Sequence, residues 1–508
     1  MSLYENIGFK AHPFAKTNAD EEPGLAGYFV PPPFYDGVLG DPSVPTASVV
    51  LAPRGGGKTA LRRMLEETAE QKRYLPVSYD RFEFSAGQNI ADINLQYHLR
   101  NIISRLLVAY LSHLADFPDL LAKLPADDRR RISVFVHSYL GDITGDGIQE
   151  LLKELKGLPE RFRDFWRDKV GFLESVINLL LKKYDLEGID LPTVRQEEKA
   201  LVETYKYQLE YLGKLVRSIG FLSVYILIDK PDETELTGND AAATYRLIQP
   251  LIRDLELLGL NGFGFKFFLW DQIEVSYRRD ARPDRVQEYQ LSWSRQGLQR
   301  LLSERLKSFS DGRFSIFRDL CGPGLTYDPD TAICIMANHS PRNVIRICER
   351  IFSAQAERNS NSAAIEPEAI DSGIVTYCTQ VARDQYPEDF VRDLQRAGRE
   401  LFTINFLAND VFKVQTNAIR NKITNWGNAG LVRQVGTISV KSSGRPLNFY
   451  YVTDPAIIRL IHQTATLDQF LQNLWLPCDS CGTDNLTSIE LYPEGNPPLC
   501  VSCGRKLL

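Results

Sequence analysis

No stretch of this 508-residue chain holds the ~18 consecutive apolar residues that a membrane helix needs, which excludes a helical membrane protein. A basic region followed by an apolar stretch is missing from the first fourteen residues, so export is not expected. Internal repeats and long low-complexity tracts are absent too, and hydrophobic and charged fractions of 44% and 24% exclude wholesale disorder. Positive charge is in deficit: 59 Lys and Arg face 65 Asp and Glu, a net −6. Any nucleic-acid contact must therefore use a local patch. Cysteine is sparse, yet four of the eight fall in the last 31 residues. With no leader in view, a cytoplasmic location is expected, where paired CxxC motifs favour metal over disulfide.

What is present suggests about three domains, at roughly 150 residues each. Residues 1–45 are rich in Pro, Gly and aromatics, including Tyr28-Phe29-Val30-Pro31-Pro32-Pro33-Phe34-Tyr35. Prolines bar a long helix here, so an extended arm is expected. Segments at 46–51, 75–84, 221–228, 263–270 and 286–293 read as strands, those at 221–228 and 263–270 as apolar runs, with helical periodicity between them. Strands alternating with helices predict an α/β fold with a parallel sheet covered on both faces. The helical stretch of about 89–220 is a large insertion within a core of 46–294. A helical domain at 295–398 is expected next. A winged helix–turn–helix at 399–465 and a zinc ribbon at 474–508 then close the chain.

The sharpest motif is Ala52-Pro53-Arg54-Gly55-Gly56-Gly57-Lys58-Thr59-Ala60, a P-loop pattern with Ala in place of the usual first Gly. Glycines let backbone N–H groups turn around phosphate oxygens, and the helix that follows favours anions at its start. Lys58 is placed to reach the β- and γ-phosphates, and the Thr59 hydroxyl to hold Mg²⁺. A second carboxylate is needed, and Asp229 ends the strand Val224-Tyr225-Ile226-Leu227-Ile228. Glu233, with Asp232 beside it, is the candidate for polarising water.

Asp271 or Gln272 ends the fourth strand, the place at which the P-loop ATPases of AAA+ and STAND kind that this chain resembles carry a γ-phosphate sensor. Arg278, Arg279, Arg282 and Arg285 beyond it are arginine-finger candidates for a neighbouring subunit. Asn338-His339-Ser340-Pro341-Arg342-Asn343 opens a helix expected over Val344 to Gln355, capped by Ser340 or Asn338.

In this order, the motifs over about 10–360 resemble a bacterial AAA+/STAND-like ATPase related to the origin-recognition initiators. His12-Pro13-Phe14 in the arm and the run Arg54 to Arg63 add to the likeness. Many AAA+ enzymes place a glutamate directly after the Mg²⁺ aspartate. Here that position is Lys230, and the D-x-x-D-E spacing of Asp229, Asp232 and Glu233 resembles the STAND class, NACHT-type ATPases included. The resemblance implies ATP at a subunit interface, nucleotide-controlled homo-oligomers and Arg342 as a nucleotide ligand. It also implies a setting in phage or mobile-element defence, or replication-type loading.

Residues 401–460 carry seven Lys and Arg against two Asp and Glu, so the rest of the chain carries −11. A helix at about 403–412, a helix from Thr416 to Gly427 and strands at 431–435 and 448–452 form the winged pattern. If it meets DNA, Gln415, Thr416, Asn417, Arg420 and Lys422 face the groove or its rim, and Lys441 and Arg445 touch phosphate. Finally, Cys478-x-x-Cys481 and Cys500-x-x-Cys503, 18 residues apart, have the spacing of a closed structural Zn²⁺ site. Cys321, Cys334, Cys348 and Cys378 show no ligand spacing and read as small apolar residues.

The function expected is an ATPase switch that engages DNA or a DNA-acting partner. A STAND-type signalling scaffold that binds protein, or a nucleotide-responsive transcription regulator, fits the same motifs. The sequence shows no nuclease, protease or TIR-like motif, so an effector function needs a separate partner protein.

Overall fold

Apolar strands that must be covered on both faces set the plan of the protein's first unit. The computed structural model describes residues 2–22, 24–140, 198–282, 284–438, 447–492 and 497–507. They divide into two units. One comprises Ala19–Ala26 and Pro31–Leu291, the other Met1–Asn18, Gly27–Val30 and Ser292–Leu508. The proline-rich arm is therefore shared between the units rather than laid on one of them.

The first unit holds β1 (Ser48–Ala52), β2 (Tyr74–Tyr79), β3 (Ser223–Asp229), β4 (Phe263–Trp270) and β5 (Gln287–Gln290). All pair in parallel, in the order β2-β3-β4-β1-β5. Every residue of β1 and β3 is buried, which explains their continuous rather than alternating apolar pattern. β5 lies at the edge, where its polar sequence is tolerated. In register, Ala52 faces Trp270 and Asp229 faces Phe268, so the carboxyl ends of β1, β3 and β4 come level. Ligands bind at that end of open parallel sheets.

Helices Leu95–Asp116, Pro118–Lys123, Ala126–Leu140 and Glu198–Ser218 supply the described part of the insertion; 141–197 lie outside the described residues. Leu99, Ile102, Ile103, Leu106 and Leu107 are fully buried, as their helical spacing predicts. Lys266 breaks the apolar pattern. It is wholly buried in mid-β4, its Nζ has no hydrogen-bond partner among the described residues, and the Tyr225 ring lies 5.0 Å away. Burial pushes this amine down to about 7.

The second unit is built on helices Arg295–Phe309, Pro329–Met336, Pro341–Asn359, Pro367–Gln385 and Glu388–Ala397. Leu3, Ile7, Phe9 and Phe14 from the arm join their core, Phe14 edge-on to Phe352. Buried Arg305 donates to the Pro13 carbonyl. Cys334, Cys348 and Cys378 are buried and Cys321 half-buried, their thiols pushed up by burial.

An antiparallel sheet follows, β6 (Leu401–Thr403), β7 (Val432–Ile438) and β8 (Leu447–Val452), in the order β6-β8-β7. The expected helix at 403–412 is a short turn, Ile404–Phe406, running into the π-helix Leu407–Phe412. The second helix spans Thr416–Asn428. Helix Glu388–Ala397 and β6 extend the expected winged pattern at its start. The tail adds a hairpin of β9 (Trp475–Pro477) and β10 (Asp484–Leu486).

Candidate functional site

The turn after β1 is shaped by glycine. Gly55 and Gly57 take φ of +74° and +98°, and a Cβ on Gly56 would lie 2.9 Å from the Pro53 carbonyl. Helix Lys58–Lys72 starts directly from this loop. The N–H groups of Lys58, Thr59 and Ala60 precede the helix's first bond, Leu61 N–H to Gly57 O at 3.0 Å. Lys58 lies across the loop, and its Nζ donates to the carbonyls of Ala52 (3.0 Å) and Pro53 (3.1 Å). Burial lowers the Lys58 pKa, opposed by Asp232, Asp229, Asp271 and Glu233. Four carboxylates from β3, β4 and their following turns thus act on the loop lysine through their charge.

Asp229 is fully buried at the end of β3. Its Oδ2 accepts from the Thr59 hydroxyl at 3.0 Å and from Arg62 Nε at 3.1 Å, while Oδ1 accepts from the Lys230 N–H at 3.0 Å. Burial raises its pKa, opposed by the Arg62 and Lys230 charges. Adjacent ligands of an octahedral ion at 2.0–2.1 Å stand about 3.0 Å apart. The Thr59 and Asp229 oxygens match that spacing, so the pair fits Mg²⁺.

Sequence reasoning missed what surrounds Asp229. Arg62 is fully buried and pairs with Asp229, Glu66, Asp80 and the arm residue Asp20. Asp20 also bonds Lys230, at 2.5 Å. Burial pushes Glu66 up to about 7, against the pull of Arg62. In the sequence, Arg62 sits on an amphipathic helix and looks like a surface charge.

Asp232 is buried and ion-paired to Arg54 at 2.9 Å, whose guanidinium lies 4.4 Å over the Trp270 ring. Glu233 ends a 3₁₀ turn, Pro231–Glu233, and is exposed. Asp271 is half-buried at the head of its own turn, with exposed Gln272 beside it.

Arg278, Arg279 and Arg282 are exposed and paired locally, with Glu274 and Glu288, with Asp280, and with Asp284. Arg285 is exposed as well. Arg342 is the exposed second residue of helix Pro341–Asn359 in the other unit; Ser340, not Asn338, caps that helix.

In the winged region, Ile419, Ile423 and Trp426 are buried and Asn417 and Arg420 exposed. Gln415 is exposed as the N-cap, and Thr416 is half-buried. Lys422 is ion-paired on its own surface. Its Nζ bonds Asp393 at 2.5 Å, and it lies 5.3 Å from the Phe412 ring. Its side chain remains 39% exposed. Lys441 and Arg445 lie outside the described residues.

All four tail Sγ atoms lie within 4.8 Å of one another, with Cys478–Cys503 at 3.6 Å and Cys481–Cys500 at 3.5 Å. A disulfide would require about 2.05 Å. Four sulfurs at 2.3 Å from a tetrahedral Zn²⁺ stand about 3.8 Å apart, so the set fits that ion. The two knuckles repeat one geometry. Gly482 N–H bonds Cys478 O and Gly504 N–H bonds Cys500 O, at 2.8 and 2.9 Å, both glycines at φ +71°. Bonding to Thr483 draws the Cys481 thiol down to about 6, whereas Cys503, despite its backbone bond to Arg505, is pushed up to about 11 by burial and the neighbouring cysteines. Buried Asn485 donates to the carbonyls of Leu476 and Thr483 and accepts from the Val501 N–H, tying both knuckles together.

No family model matches the chain, and no curated protein matches it. Among solved structures it is similar to the Aeropyrum pernix Orc1 protein in complex with DNA. The TM-score is 0.36 at 10% identity, covering 89% of this chain and 98% of that one. It is also similar to Drosophila ORC bound to DNA, at TM-score 0.27 and 12% identity, covering 91% and 90%. At that distance, function is argued from this chain's own residues.

Proposed function

We propose that the protein is a Mg²⁺-dependent P-loop ATPase of AAA+/STAND type that works as a nucleotide switch and engages DNA. The contact between Thr59 and Asp229 carries the ATPase reading. It joins a glycine loop to the end of a strand 170 residues away, at the spacing of two cis ligands of one ion. In this reading the loop N–H groups cradle the phosphates, and Lys58 leaves the two loop carbonyls to reach them. Bound Mg²⁺ would neutralise charge on the transferring phosphoryl group. Glu233, exposed beside the loop lysine, takes the proton from the attacking water. Asp232 anchors Arg54, so the base falls to Glu233.

The domain plan goes with this. A P-loop core is followed by a helical lid carrying Arg342, a winged helix, and a zinc ribbon that staples the tail. Homo-oligomers are assembled through nucleotide, with Arg278, Arg279 or Arg282 offered to a neighbour's γ-phosphate. The DNA part is supported by the run from residue 411 to 453, which contains no Asp or Glu but six Lys and Arg. A defence setting with a separate effector protein follows from the sequence resemblance only.

The test is equilibrium ATP binding and turnover. Lys58→Ala abolishes binding, whereas Glu233→Gln binds ATP and does not turn it over. ATP affinity retained in Lys58→Ala sinks the reading. Mass measurement with ATP and DNA, together and separately, reports assembly, and elemental analysis of reduced protein returns one zinc per chain.

A further inference from the structure

Helix Thr416–Asn428 presents an uncommon composition on its open face. At 100° per residue, Asn417, Arg420, Asn421, Thr424, Asn425 and Asn428 share one side, and each is exposed. Opposite lie the buried Ile419, Ile423 and Trp426. Asparagine is a poor helix former. Four of them on the exposed side do nothing for packing, so folding does not account for the row.

We infer that this face reads A·T base pairs in the major groove of B-form DNA through its asparagines. The inference rests on the DNA-engaging function proposed above and names what the helix recognises. Four features support it. An asparagine amide offers one donor and one acceptor in the geometry of adenine N7 and N6, the bidentate pairing that singles out A·T in the major groove. Successive asparagines at 417, 421 and 425 are four residues apart, about 6 Å along the axis. That is close to two base-pair steps of about 3.4 Å each.

Asn417 is also held in a set orientation. Arg420 Nη1 lies 2.6 Å from its Oδ1. Because a guanidinium only donates, the amide oxygen faces Arg420, so Asn417 has its Nδ2 to donate to N7 and the two-bond pairing falls to Asn421 and Asn425. Lastly, no carboxylate occurs from 411 to 453, so nothing on the helix repels phosphate. Asp393 offsets the charge of Lys422, so Arg420 is the cation that remains on a row otherwise made of neutral side chains. A neutral amide face gives base discrimination, whereas a lysine-rich one would give phosphate affinity without it. A-form RNA is a poor fit, because its deep, narrow major groove does not admit side chains to the base edges.

The experiment uses the full chain with ATP and Mg²⁺, and duplexes of equal length that are A·T-rich or G·C-rich. Anisotropy is followed across a salt series. The expected preference for the A·T duplex is about tenfold. Asn421→Ala and Asn425→Ala, both solvent-facing, bring the ratio toward one and leave the slope of affinity against salt unchanged. Replacing adenine by 7-deazaadenine, which lacks the N7 acceptor, does the same to the parent protein. Equal binding of the two duplexes overturns the inference and leaves the DNA reading standing. An A·T preference that survives both substitutions also overturns it. No duplex binding at low salt overturns the inference and the DNA reading together, and assigns the face to a protein partner.

Discussion

The surroundings of Asp229 and the open face of helix Thr416–Asn428 handle polar groups in opposite ways. Around Asp229, charges are buried and neutralise one another. Arg62 meets carboxylates from its own helix, from β3, from the segment after β2 and from the arm. On the winged helix the polar groups stand in water, bonded to near neighbours or to none. In the first region a functional residue is also a folding residue. In the second, a substitution leaves the packing in place, so it tests the proposed recognition apart from stability.

The hardest test of that contrast is Arg62→Ala. It strands Glu66, Asp80 and Asp229 without their cation and should cost about 3–5 kcal/mol, read from denaturant unfolding. A stable variant would show that the cluster relaxes and that burial there is not structural. Lys266→Met examines a buried charge with no partner. Its folded pKa of about 7 lies below the ordinary 10.5. The unfolded chain binds more protons between those values, so stability is greatest above pH 10.5 and falls as pH drops toward 7. Removing the amine should therefore stabilise the protein at pH 7 by a few kcal/mol and flatten the profile between 7 and 10.5. An unchanged profile would place water or a partner at Nζ.

A smaller effect is expected for Asp20→Asn. Asp20 is partly exposed, and Arg62 keeps its other partners, so the loss should be about 1–2 kcal/mol. Nucleotide affinity should weaken with it as Lys230 and Arg62 turn further toward Asp229. Arg420→Ala lies at the far end. It should change stability by less than about 0.5 kcal/mol while weakening duplex binding, measured side by side on one preparation.

Local patterns were readable from the chain. Apolar runs marked β3 and β4, short strand-like segments the other three strands, the glycines the loop, and a carboxylate after a buried run the end of β3. Cysteine spacing brought four sulfurs together. Pairings between distant residues were not readable. Nothing local ties Asp20 to Arg62 or Asp393 to Lys422, because each depends on how elements pack. β6 is three residues long, too short for a period to show, and the π-helix at 407–412 carries the same apolar spacing as an α-helix. The asparagine row could have been found by testing polar residues, and not only apolar ones, for helical spacing.

The division of the arm has a practical consequence for anyone cloning the protein. Leu3, Ile7, Phe9 and Phe14 fill the core of a unit whose remaining core begins after residue 291, whereas Asp20 serves the unit in between. The gene therefore cannot be cut once to yield either half. A product ending at Leu291 would expose four orphaned apolar side chains and be prone to aggregate. One starting at Ser292 would have a hole where those side chains belong, and Arg305 would be left without the Pro13 carbonyl. A working second half would need the first thirty codons fused ahead of it, because Gly27–Val30 belongs to the same unit.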